Sequence, residues 1–193
     1  TVERNLLEGA LIVIFVLVLF LGNLRAGLIV ASAIPLSMLF ALGLMNVFGV
    51  SANLMSLGAI DFGLIVDGAV IIVESTLHVM ALRKEKVQLS RTEMDEVVEE
   101  SAEKMMNSAA FGQIIILIVY FPILTMTGIE GKMFVPMAQT ISFAILGALI
   151  LSLTYIPVMS SLFLSRKVSQ KPSFSDRMMD KLTAVYQPLL DRA

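Results

Sequence analysis

The sequence predicts an all-α integral membrane protein, a bundle of five membrane-crossing helices. Three observations predict it. Hydrophobic residues make up 57% of the 193-residue chain and charged residues only 16%, against roughly a half and a quarter in a soluble domain. The charges are segregated, so that 26–60, 105–129 and 133–165 are uncharged runs of 35, 25 and 33 residues, more than a soluble fold of this size can hide. Lys and Arg fall almost entirely on alternate connections between the apolar runs. A net charge of −2 argues against nucleic acid, which calls for a basic face. The absence of cysteine excludes disulfide frameworks, zinc fingers and thiol catalysis. With no Trp, an interfacial aromatic belt falls to Tyr120, Tyr155 and the phenylalanines.

A helix needs about 20 apolar residues to cross a hydrocarbon core of roughly 30 Å. Five segments qualify. The first covers about 8–24 and ends at the turn Gly22-Asn23-Leu24-Arg25. The second covers about 27–47 with a kink expected at Pro35. After the turn 48–53, Ser51 or Asn53 can cap the third, about 54–82. The fourth covers about 105–127 with Pro122 near its end. The fifth covers about 136–164, with Pro136 suited to a first helical turn and Pro157 inside it.

The connections give direction and two surface helices. Twelve cations (Arg25, Arg83, Lys84, Lys86, Arg91, Lys104, Arg166, Lys167, Lys171, Arg177, Lys181, Arg192) lie on one side and two (Arg4, Lys132) on the other. The richer side reads as cytoplasmic, which puts the N-terminus outside and the C-terminus inside. Ser90-Arg91-Thr92-Glu93 has capping-box spacing. Met94, Val97, Val98 and Met105 form one apolar stripe, so an amphipathic helix over about 92–104 is expected to feed the fourth span. Glu99, Glu100 and Glu103 read as its solvated face. Residues 166–193 hold apolar positions at helical spacing (Met178, Met179, Leu182, Val185, Tyr186, Leu189, Leu190) and read as a cytoplasmic amphipathic segment leading onward. Residue 1 is Thr and no basic region with a cleavage site follows, so no signal peptide is expected and both ends read as cut from a longer chain.

The third span carries Asp61, Asp67 and Glu74 among apolar residues. Insertion scales charge about 2.5–3.5 kcal/mol for an Asp at a helix centre, so carboxylates there mark function. Asp67 and Glu74 share a stripe, two turns and roughly 10 Å along the axis, whereas a helical Asp61 would stand about 120° away from Asp67. Hydrocarbon disfavours the charged carboxylate, and a group that titrates near working pH can load a proton on one side and release it on the other. That is what a proton relay requires. The plainer alternative is pairing with cations on other helices. No Lys or Arg lies within any of the five spans, so such a partner must come from elsewhere. Glu74, nearer the cytoplasmic end, is also open to simple solvation. Ala59 and Gly63, with Ser56, make a small face for close helix approach, and Gly68 keeps the helix thin beside Asp67; ordinary helix packing suffices for them.

At these residues a resemblance becomes specific. Asp61-Phe62-Gly63-x-x-x-Asp67-Gly68-Ala69-Val70-x-x-Val73-Glu74 resembles the fourth-helix signature of resistance–nodulation–division (RND) efflux pumps of the heavy-metal type. Gly128-Ile129-Glu130-Gly131-Lys132-Met133-Phe134-x-Pro136-Met137-Ala138 is similar to their junction between the fifth and sixth helices. Asn5-Leu6-Leu7-Glu8-Gly9-Ala10 and Phe20-Leu21-Gly22-Asn23-Leu24-Arg25 resemble their second helix and the loop after it. Ser75 departs from the pattern, which places Asn there. The resemblance implies spans two to six of a twelve-helix transporter domain. It implies proton coupling through Asp61, Asp67 and Glu74, and a bacterial inner-membrane pump that forms a homotrimer with a periplasmic adaptor and an outer-membrane channel. Two Asp in the motif resemble the divalent branches (zinc, cobalt, cadmium, nickel), and hard carboxylates suit divalent ions better than Cu(I).

No cofactor and no metal-ligand set is read from the chain. The thirteen Met residues, including Met126, Met133 and Met137 near the outer face, are soft ligands, yet Met is also the gap-filler of apolar cores. His78, the single histidine, has no second ligand in sequence reach beyond Glu74 one turn earlier. The expected function is therefore the proton-coupling part of an antiporter exporting divalent heavy metals, with no bond chemistry on the substrate. Monovalent copper or silver efflux, small-organic efflux and a passive cation channel are the alternatives.

Overall fold

The computed structural model describes residues 2–51, 61–83 and 89–165. Among them every regular element is an α-helix: α1 Val2–Leu21, α2 Leu24–Phe48, α3 Phe62–Leu82, α4 Arg91–Leu124, α5 Gly128–Leu153 and α6 Tyr155–Phe163. Four of these, α2 to α5, are long and apolar enough to cross a membrane, and α1 contributes a shorter apolar stretch, Leu7–Leu21. The chain is an all-α, multi-pass membrane protein.

Local chemistry sets the boundaries. The turn after α1 supplies Asn23, in extended conformation, whose side chain accepts from the Arg25 and Ala26 amides and so starts α2. Gly49 ends α2 at φ 67°, a left-handed cap that glycine adopts without a Cβ penalty. Ser90 caps α4 with the reciprocal box: its hydroxyl accepts from the Glu93 amide at 3.2 Å, and the Glu93 carboxylate accepts from the Ser90 amide at 2.8 Å.

Three differences from the sequence reading have physical causes. The surface helix and the fourth span are one element, because no Gly or Pro interrupts the chain between Arg91 and Gly112 and α4 runs on for 34 residues. α5 begins at Gly128, so Pro136 lies inside it and not in its first turn. The fifth span is two helices. Pro157 has no N–H and its ring crowds the carbonyl four residues back, at Leu153. There α5 stops, and Thr154 closes it with its amide and hydroxyl both donating to the Ile150 carbonyl, at 3.1 and 2.6 Å. Capping at Asn53, the run 54–60 and the segment 166–193 lie outside the described residues.

The core is where four helices meet. α2 packs most extensively on α5, and α3 on α4. Val30, Ala33 and Ile34 of α2, Ile65, Ile72 and Val73 of α3, and Ala144 and Ala148 of α5 are all almost completely buried in one cluster. It continues past the C-terminal end of α3 through Met80, Leu89, Met94, Val97 and Val98. Ser32 of α2 and Tyr155 of α6 share a hydrogen bond at 3.2 Å, so the Tyr155 hydroxyl is tied into the bundle. Large apolar side chains such as Phe15, Leu39, Phe111 and Ile118 are exposed, as suits helices facing lipid or other helices.

Candidate functional site

α3 buries one side and leaves the other bare. Phe62, Ile65, Val66, Gly68, Ala69, Ile72, Val73, Thr76 and Met80 are buried. Asp67, Glu74 and His78 are exposed, and their spacing places them on one stripe rising two to three turns along the helix. The two carboxylates that the charge scan singled out therefore share a face that no described helix covers. Among the described residues neither enters an ion pair; the pairs are Arg4–Glu8 at 2.8 Å and Arg83–Glu100 at 3.3 Å.

Asp61 is placed differently from the sequence expectation. It precedes the helix and does not sit within it. Its backbone is extended (φ −95°, ψ 113°) and its carboxylate accepts from the Gly63 amide at 2.8 Å. The 120° offset expected for a helical Asp61 accordingly does not apply. Asp is among the preferred N-cap residues. Ala59 lies outside the described residues. Among the described residues, a Cβ on Gly63 would meet only the Asp61 side chain, with Oδ1 at 3.1 Å. Gly68 is the close contact. A Cβ there would lie 2.9 Å from Gln113 Nε2 of α4 and 3.1 Å from Ser152 Oγ of α5. Three helices meet at the residue after Asp67, which fixes how α3 is rotated and hence where the Asp67 carboxylate points.

At the C-terminal end of α3 an open groove of about 600 Å³ separates it from α4. Glu74, Ser75 and His78 line one wall, Glu100 and Lys104 the other, so Glu74 borders a partly polar cleft. Sequence reasoning did not find this groove, because it depends on α4 extending past the end of α3. Gln113 was also missed: a neutral amide inside an uncharged run leaves no mark in a search for charges. No three His, Asp or Glu side chains converge to hold a metal ion among the described residues. Met126 and Met133 are exposed near the start of α5.

A helical bundle with two carboxylates aligned on an uncovered face of a membrane helix defines a multi-pass membrane protein with titratable groups at membrane depth. The comparisons are specific. The chain belongs to the AcrB/AcrD/AcrF family, whose sequence profile matches residues 1–193. It is 49% identical over 195 residues to the cobalt-zinc-cadmium resistance protein CzcA of Cupriavidus metallidurans, covering 100% of this chain and 18% of that protein. It is 45% identical over 196 residues to the nickel-cobalt-cadmium resistance protein NccA of Alcaligenes xylosoxydans xylosoxydans, with the same coverage, 100% and 18%. The crystal structure of a heavy metal efflux pump superposes with a TM-score of 0.72 at 37% identity, covering 100% of this chain and 17% of that one. The resemblance read from the α3 motif to the heavy-metal branch of these efflux pumps is thus borne out. The chain spans less than a fifth of the length of these relatives.

Proposed function

We propose that this chain is the proton-coupling transmembrane part of a cation/proton antiporter that exports divalent heavy metals of the zinc, cobalt, cadmium or nickel type. The observation that carries the reading is the pairing of Asp67 and Glu74 on one uncovered stripe of α3, held in orientation by the contact of Gly68 with α4 and α5. A carboxylate at membrane depth without a cation beside it is costly when charged, so Asp67 is suited to take up a proton and to release it when a cation approaches. The approaching cation comes from the part of the transporter beyond these residues. Glu74, beside the open groove, passes protons between Asp67 and the cytoplasmic side, and Asp61 serves the outer end of the path. The names of the relatives support the cargo, since they carry cobalt, zinc, cadmium and nickel.

In this reading residues 1–165 supply the second to sixth of twelve spans, with the N-terminus outside, in a bacterial inner-membrane pump. The pump is a homotrimer that works with a periplasmic adaptor and an outer-membrane channel. It moves ions and makes or breaks no bond in them. The test is Asp67→Asn in the full-length transporter, which keeps shape and hydrogen-bonding capacity and removes titration. In proteoliposomes with an imposed pH gradient, wild type moves metal and protons in opposite directions, and the variant inserts and moves neither. A folded Asp67→Asn protein that still couples the two fluxes at near-normal rate would overturn the assignment. Metal flux in wild type that ignores the pH gradient would mark a passive channel.

A further inference from the structure

Five hydroxyls buried in the bundle, those of Ser37, Thr76, Ser101, Thr140 and Ser152, each donate to a carbonyl of their own helix, the usual way a membrane helix hides an alcohol. Gln113 has no such outlet for a whole amide, which brings two donor hydrogens and a two-lone-pair acceptor. It is 2% exposed, and among the described residues neither its nitrogen nor its oxygen has a hydrogen-bond partner. An unpaired amide is costly in an apolar interior. Methionine has similar length and bulk and would fill the same space without that cost, so packing alone does not call for Gln here. Departures of this kind from the rules of stability concentrate at functional sites.

The amide closes on α3 from α4, and the Ser152 hydroxyl closes on it from α5, both at the bare Cα of Gly68. The other buried side chains of α3 are apolar apart from Thr76, and apolar contact is non-directional, so it leaves rotation of the helix loosely specified. Asp67 precedes Gly68 in one unbroken helix, and the two turn together. A carboxylate at the end of its side chain stands about 5–6 Å from the helix axis, so a turn of about 10° moves it about 1 Å. That distance decides whether a hydrogen bond of about 2.7–3.2 Å is made or lost.

We propose that Gln113 is a positioning residue for Asp67. Its amide, with the Ser152 hydroxyl, sets the rotation of α3 at Gly68. Because packing holds the amide there and no hydrogen bond does, α3 can turn at this point when Asp67 gains or loses a proton. An apolar side chain at 113 would steady the junction and fix the carboxylate at one angle. Gln113 acts through the α3 backbone, on the buried side of the helix, and not on the proton itself. The inference rests on the reading of Asp67 as the proton carrier and adds to it a control from the opposite side.

The test uses the full-length transporter carrying Gln113→Met, Ser152→Ala or Asp67→Asn, in nanodiscs for spectroscopy and in proteoliposomes for flux. Infrared difference spectra across a pH titration show a protonated-carboxyl band, assigned to Asp67 by its loss in Asp67→Asn. In Gln113→Met the midpoint of that band moves, metal turnover falls by about tenfold to a hundredfold, and the KM for metal stays. The same variant melts at or above the wild-type temperature, a gain in stability set against a loss of activity. Ser152→Ala relaxes the contact from α5 and moves the midpoint as well. The other titratable groups on α3 or facing it across the groove (Asp61, Glu74, His78, Arg83, Glu100 and Lys104) are unchanged by either substitution, so a moved midpoint reports the setting of Asp67. A Gln113→Met protein with wild-type midpoint and turnover overturns the proposal. One that melts well below wild type or fails to fold does so too, since the amide then holds the junction together. An Asp67→Asn variant that still couples proton and metal flux overturns the antiport reading itself, whereas an inactive Asp67→Asn beside a Gln113→Met that behaves as wild type overturns the positioning role alone.

Discussion

Two glycines in the same helix separate packing from propensity. Gly68→Ala drives a methyl to 2.9 Å from an amide and 3.1 Å from a hydroxyl, both buried. Overpacking of this kind costs about 1–3 kcal/mol, and the variant should show a clear loss in thermal unfolding. Among the described residues, Gly63→Ala meets only the exposed Asp61 carboxylate. Its effect should stay within about 0.5 kcal/mol, and equal losses for both substitutions would show that the three-helix contact at Gly68 is not tight. Asp61 offers a second pair. Asp61→Asn keeps a good N-cap, whereas Asp61→Ala removes it at about 1 kcal/mol. Hydrogen exchange of the Gly63 and Leu64 amides should quicken in the alanine variant alone. Transport lost in both variants assigns a proton to Asp61; transport lost only in Asp61→Ala leaves it a cap. At this scale the sequence revealed what charge reveals. Asp67 and Glu74 stood out because nothing around them is charged, and the structure places them on one stripe. The capping geometry of Asp61 depends on backbone angles that a charge count does not carry, and Gln113 is invisible until burial is known.

At the scale of elements, the caps predict where the bundle frays. The Ser90–Glu93 box holds the first turn of α4, and Ser90→Ala should cost about 1 kcal/mol. Protection of the first-turn amides against hydrogen exchange should fall by roughly fivefold, with the Gly112–Leu124 part of the helix unchanged. The Arg83–Glu100 contact, in contrast, joins two substantially solvated side chains, 36% and 59% exposed. Exposed pairs contribute about 0–1 kcal/mol, so Arg83→Gln should leave the melting temperature almost where it was. The capping box was legible from Ser90 and Glu93 alone, because it is a short-range pattern of two side chains and two amides. The fusion of two expected helices into α4 was not, since apolar content changes sharply near Met105 while the backbone hydrogen-bond ladder does not. The division at Thr154 was within reach of the sequence through Pro157. It went unread because an apolar run past a proline looks the same whether the helix bends or stops.

For the whole molecule, the exposed carboxylate face of α3 and the exposed apolar side chains of α1, α2 and α4 predict that these helices work only with others. Residues 1–193 expressed alone should insert and confer no metal tolerance on a sensitive bacterium; measurable tolerance would contradict the need for a partner half. The chain has no cysteine, so single cysteines report topology without background. A cysteine at Lys132 should react with an impermeant maleimide added outside the cell, and one at Glu99 only after the membrane is opened. The reverse pattern would invert the assigned orientation.

α4 has a mechanical consequence. It is one rod of 34 residues, about 51 Å long. Its buried positions are confined to Met94, Val97, Val98 and Ser101 at one end and Ala109 and Gln113 further along. Beyond Gln113, towards Leu124, nothing in α4 is buried. The rod is thus held from Met94 to Gln113 and free beyond it, an arm of about 17 Å reaching on to Leu124. A tilt of about 5° at Gln113 carries the Leu124 end through roughly 1.5 Å, about the rise of one helical residue. Movement too small to disturb the three-helix junction at Gly68 is delivered to the turn that leads into α5.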